Sequence, residues 1–116
     1  MARVAIWSRS GTTMVSVPGP GGGDQVWSSF GDGNYYITAE NNPIGPSFAV
    51  VKAGSNILTQ MVPTLPPVPA VPGVHSEGSV HSIAASPVNN HIYVPLPANT
   101  SYPNCMQGCV AVFSAQ

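Results

Sequence analysis

An internal repeat of a strand–turn–strand unit is the feature that most constrains how this chain can fold. Residues 24–37 align without a gap on residues 81–94, which places Tyr36 on Tyr93 and a polar turn before each pair of apolar residues. Each copy reads as a strand, a tight turn rich in Asp, Asn, Gly or Pro, and a second strand, which is typical of a β-hairpin. A chain that repeats such a unit is expected to stack its copies side by side.

A third strand follows each hairpin. Residues 48–51 match residues 110–113, and residues 4–7 form an earlier copy of the same strand. A polar turn and a fourth strand follow the first two copies, at residues 13–17 and 57–62, whereas the last copy has no fourth strand. A four-stranded antiparallel unit repeated every 40–60 residues or so is the pattern of a propeller blade.

The repeat predicts an all-β fold of about two four-stranded antiparallel blades. Twelve glycines and 13 prolines in 116 residues disfavour helices, since Gly and Pro destabilise a helix interior by roughly 1 and 3 kcal/mol each. The predicted strands lie near residues 4–8, 13–17, 25–30, 34–39, 47–52, 57–62, 81–86, 91–96 and 109–114.

Residues 83–94, IAASPVNNHIYV, resemble the core of bacterial YVTN/NHL-type β-propeller repeats. That pattern is an apolar strand, an Asp/Ser-Pro-x-Asn/Gly turn and a strand carrying Tyr-Val, and residues 109–113 resemble the last blade of such a propeller. The resemblance implies a scaffold and transfers no catalytic residue. Propellers of this type carry many blades in one chain, whereas nine strands are predicted here.

The chain is interpreted as a single partial propeller unit over residues 1–116. It divides into leading strands at 1–18, a first full blade at 24–62, a Pro-rich loop at 63–80, and a second blade at 81–116 that lacks its last strand.

Two blades alone would expose apolar faces and unpaired edges. The leading hypothesis is therefore a structural or binding module that self-associates into a ring, with residues 13–17 donated to a neighbour's last blade. The alternatives are a piece of a larger propeller enzyme with a lactonase-like or dehydrogenase-like channel site, an extracellular fibre subunit, or a small sandwich that is no propeller.

Asp24 and His81 occupy equivalent positions at the start of the first strand of each unit. The innermost strand of a propeller lines its channel, so these side chains are candidates for a metal or small-ligand site. The alternative is that they cap turns or satisfy backbone groups. His75 and Glu77 precede His81 in the loop and are further candidates, although their spacing matches no known ligand motif. No cofactor is predicted beyond such a metal ion.

No catalytic motif is present, so an enzyme is not the leading hypothesis. Glu40 is the only acidic residue at its strand end, which argues against a paired-carboxylate acid–base site. No nucleophile elbow or catalytic triad is recognisable. The net charge of −1 with only three basic residues disfavours nucleic-acid binding. No apolar stretch reaches the length of a membrane span.

Cys105 and Cys109 lie four residues apart around Gly108. The spacing is neither a CxxC redox motif nor a four-ligand zinc set, which leaves a local disulfide or two unbridged thiols. A bridge would favour an oxidising compartment, and the predicted location is extracellular or periplasmic. The aromatic side chains in the strands, Trp7 and Trp27 among them, are expected mostly in the core between blades.

Overall fold

The computed structural model describes residues 3–40, 42–65 and 80–114, and the regular structure within them is all β-strand. This confirms the predicted all-β antiparallel fold. In order, the strands are β1 (Arg3–Trp7), β2 (Met14–Pro18), β3 (Val26–Ser29), β4 (Asn34–Ala39), β5 (Ser47–Lys52), β6 (Ile57–Pro63), β7 (Ala84–Ala85), β8 (His91–Leu96) and β9 (Cys109–Ser114).

The strands form three sheets whose members follow the chain order and pair antiparallel. We call β1–β2 the leading hairpin, β3–β6 the central sheet and β7–β9 the last sheet. Strand β7 is shorter than predicted, with two residues in the ladder. Strand β2 already pairs with β1 over its full length, with Val17 opposite Val4. Nothing in the described part of the chain is a helix long and apolar enough to cross a membrane.

The turns that join β3 to β4 and β7 to β8 have the same hydrogen-bond pattern. The amide of Gly33 donates to the carbonyl of Ser29 (3.1 Å), and the amide of Asn90 donates to the carbonyl of Ser86 (2.9 Å). Gly33 and Asn90 both have positive φ, 69° and 58°, a conformation that Gly and Asn tolerate best. The sequence alignment of the two hairpins therefore corresponds to an equivalence of backbone structure.

The middle strands of the central sheet, β4 and β5, are buried on both faces because their side chains alternate between two neighbouring sheets. Phe48 and Val50 on β5 belong to a core shared with the last sheet, which includes an edge-to-face contact between Phe48 and Phe113. Ala49 and Val51 on the same strand face a second core shared with the leading hairpin. The molecule is thus a stack of three sheets with the central sheet in the middle.

Tyr36, Tyr35 and Phe113 belong to the two cores, as expected of the strand aromatics, but the two tryptophans do not. Trp7 is 62% exposed and Trp27 is 42% exposed. Trp7 alternates with inward-facing residues of β1 and lies on the outer face of the leading hairpin. The Pro-rich loop falls largely outside the described residues, but Leu65 and Val80 on either side of it are buried in the core of the last sheet.

We expect Phe48→Ala to lower the free energy of unfolding by about 3–5 kcal/mol, because truncating a buried Phe leaves a cavity between two sheets. Phe30→Ala is the matched control, because Phe30 is 92% exposed whereas Phe48 is 1% exposed. The Phe30→Ala change should alter the free energy of unfolding by no more than about 0.5 kcal/mol. Urea unfolding followed by circular dichroism measures both, and equal effects would contradict the stacked-sheet core.

Candidate functional site

Three ionisable side chains meet where the central and last sheets lie side by side. Asp24 lies two residues before β3, Glu40 directly follows β4, and His81 lies three residues before β7. One oxygen or nitrogen atom from each residue lies within 4.8 Å of the other two. The structure therefore brings the equivalent positions 24 and 81 into direct contact and adds a carboxylate to them.

The imidazole of His81 is the centre of the cluster. Its Nδ1 lies 2.6 Å from Oδ2 of Asp24 and 3.5 Å from Oε2 of Glu40. Asp24 and His81 are about half exposed, whereas Glu40 is 4% exposed. The site thus has one buried carboxylate at its base and two side chains that solvent can reach.

The start of β3 is fixed by the side chain of Thr38. Its hydroxyl oxygen accepts hydrogen bonds from the amides of Asp24 and Gln25, both at 3.0 Å. A Cβ atom on Gly23 would lie 1.6 Å from the Thr38 carbonyl oxygen, so only glycine fits there. The Gln25 side chain in turn accepts a hydrogen bond of 2.9 Å from the amide of Ile83. The backbone around Asp24 is therefore held against both β4 and the last sheet.

The hydrogen bond with Asp24 raises the pKa of His81 above its ordinary value of 6.5. Partial burial of the imidazole opposes this rise in pKa, and the negative charges of Glu40 and Asp24 add to it. The arrangement favours a positive charge at the position of the imidazole, held by two carboxylates.

Comparison of the two copies of the repeat does not place Asp24 and His81 beside Glu40. Its equivalent in the second copy is Pro97, so the repeat gives no polar match. The register of the first hairpin does contain the signal: Val26 lies opposite Ile37, and extending the pairing past Val26 brings Asp24 beside the end of β4. Glu40 is the only acidic residue at the end of β4, and the carboxylate near it comes from Asp24 before β3.

His75 and Glu77, the other two candidate ligands, lie outside the described residues. The structure places neither of them, so their role stays a prediction.

Two clefts flank the central sheet, and the first of them reaches this cluster. One of about 430 Å³ lies between the leading hairpin and the central sheet, and Asp24 is part of its wall together with Ile6 and Val26. The other, of about 440 Å³, lies between the central and last sheets and is lined by Tyr36 and Phe113. Burial and the hydrogen bond that Tyr36 donates to Asp32 raise the pKa of Tyr36 to about 12, so this phenol stays neutral.

Cys105 and Cys109 are joined by a disulfide, with their Cα atoms 5.0 Å apart. Cys105 is fully buried, and its carbonyl accepts a hydrogen bond of 2.9 Å from the amide of Asn99. The hydroxyl of Tyr102 donates to the carbonyl of Thr64 at 2.6 Å. The bridge and these bonds tie the loop before β9 to the end of β6.

Comparison with protein-family models, with characterised proteins and with solved structures finds no match to this chain. Functional inference therefore rests on its own residues.

We expect Asp24→Asn to lower the pKa of His81, because the amide removes the charged hydrogen-bond partner that raises this pKa. In the native protein the contribution of the pair to stability is complete below the unfolded pKa near 6.5. It is lost as the pH rises through the higher folded pKa. NMR titration of the His81 ring measures the shift in pKa; an unchanged pKa in the variant would contradict the contact.

Replacing both cysteines with Ala should lower the free energy of unfolding by about 2 kcal/mol, the chain-entropy value for a closed loop of about five residues. Met106→Ala changes an exposed side chain inside the same loop and serves as the control. Guanidinium unfolding gives the difference, and a double variant as stable as the native chain would contradict a stabilising bridge.

Proposed function

We propose that this protein is a structural and binding module of stacked β-propeller blades that associates head to tail with copies of itself. The observation that carries the proposal is that the three sheets are stacked with their equivalent faces oriented the same way. Equivalent side chains point the same way along the stack, and the two outermost faces carry exposed apolar side chains, among them Trp7 and Met14 at one end and Val110 and Val112 at the other.

The forward face of each sheet is defined by the third strand. Val4 and Ile6 on β1 pack against the core of the central sheet, and their equivalents on β5 pack against the last sheet. The equivalents on β9 are Val110 and Val112, which are 58% and 56% exposed. The last sheet thus presents to solvent the face that the other two sheets use for contact.

The backward face of each sheet is the opposite face, marked by the alternate position of the third strand. Val51 on β5 faces the leading hairpin, and its equivalent Phe113 on β9 packs towards the central sheet. The equivalent on β1 is Trp7, which is exposed beside Met14 on the opposite strand. One end of the stack therefore exposes a forward face and the other a backward face, so a second copy of this chain is the occupant that matches both.

Burial of these faces supplies the driving force, at roughly 25 cal/mol per Å² of apolar surface. The proposed contact is face to face rather than the donation of residues 13–17 as a strand, because those residues pair with β1 in their own chain. Head-to-tail contacts give a closed ring or an open filament according to the rotation between copies. The disulfide supports an extracellular or periplasmic setting for this module.

Light scattering at micromolar concentration tests the proposal. The native assembly should have a mass of two or more times the 12.0 kDa of one chain. Val112→Lys should reduce the mass to that of a monomer, because the lysine places a charge in the forward face. Val88→Lys is the matched control, since Val88 is 92% exposed in the β7–β8 turn. It should assemble like the native chain.

A folded native monomer, or equal assembly of both lysine variants, would overturn the proposal. Electron microscopy of the native assembly then distinguishes rings from filaments.

A further inference from the structure

We infer that Asp24, Glu40 and His81 form a binding site for a divalent transition-metal ion of the zinc type. Self-association is not required for this site, because all three residues come from one chain.

The ligand set matches that class of ion. An imidazole nitrogen with two carboxylate oxygens suits Zn²⁺, and sites with three protein ligands commonly leave a fourth position to water. The exposure of Asp24 and His81 gives an ion and a water molecule access from solvent. The buried Glu40 carboxylate provides a fixed ligand at the base of the site.

The distances need only a small adjustment. Two ligands each about 2.1 Å from a tetrahedral zinc ion are separated by roughly 3.4 Å. The separation of His81 Nδ1 from Glu40 Oε2 is 3.5 Å, close to that value. The separation from Asp24 Oδ2 is 2.6 Å, and it can widen by rotation of the half-exposed Asp24 side chain.

The geometry lets one ion contact all three groups, whereas one hydrogen bond joins only two of them. Nδ1 carries at most one hydrogen, so it donates to one of the two carboxylate oxygens that face it. A divalent ion binds all three groups at once and offsets both negative charges. The hydrogen bonds from the amides of Asp24 and Gln25 to Thr38 hold the backbone in place for this arrangement.

Calorimetric titration of the native chain with zinc chloride is the test. We expect one site per chain that survives in Val112→Lys, the variant designed to be monomeric. Zinc binding in that variant makes failure of the metal site distinguishable from failure of the self-association proposal. Cobalt(II) gives a second readout, because tetrahedral coordination by these ligands produces visible absorption bands.

Glu40→Gln and His81→Gln should each weaken zinc binding at least tenfold. His91→Gln is the matched control, since His91 lies on β8 outside the cluster, and it should bind like the native chain. Circular dichroism establishes that each variant is folded. Should Glu40→Gln fail to fold because it alters a buried group, Asp24→Asn at the exposed rim replaces it in the comparison.

Absence of zinc binding by the folded native chain would overturn the proposal. Unchanged zinc affinity in His81→Gln would also overturn it. If His75→Gln loses zinc binding while His81→Gln keeps it, the metal site belongs to the loop instead.

Discussion

Burial of both faces of the central sheet is the constraint on which the rest of this structure depends. Successive side chains of a strand point to opposite faces, so β5 can serve two cores only if both of its faces carry apolar side chains, as Phe48 and Val50 do on one face and Ala49 and Val51 on the other. Residues 47–51 are all buried, and the strand becomes exposed only at Lys52. Such a sheet is stable only between two others. The leading hairpin and the last sheet are therefore requirements of the central sheet rather than appendages to it.

Much of the fold was predictable because local chemistry specifies it. Turns that need positive φ contain Gly33 and Asn90, and their position between two apolar runs defines each hairpin. The internal repeat then transfers the strand bounds from one copy to the other. The exception is β7, where the prediction covered six residues and only Ala84 and Ala85 pair with β8. The ladder is short there because the segment before it turns towards the central sheet, where Ile83 donates its amide to Gln25.

The candidate site was only partly predictable because its three residues are connected in two different ways, by the repeat and by strand pairing. Asp24 and His81 are related by the repeat, and comparison of the copies finds them. Glu40 is related to Asp24 by the antiparallel register of one hairpin, so it has no counterpart in the other copy. The exposure of Trp7 was missed for a similar reason. Its strand equivalents are covered by the preceding sheet, whereas β1 belongs to the first sheet of the stack, and strand periodicity says nothing about which sheet is outermost.

The contact between Asp24 and His81 shows why exact repetition would be unfavourable at this point of the stack. Equivalent positions in adjacent sheets lie next to each other here, so two identical carboxylates would repel at short range, with Glu40 adding a third negative charge. A histidine in the second copy turns that repulsion into a hydrogen bond of 2.6 Å. The copies thus diverge where stacking brings like positions together. The same difference produces the mixed carboxylate and imidazole set on which the proposed zinc site rests.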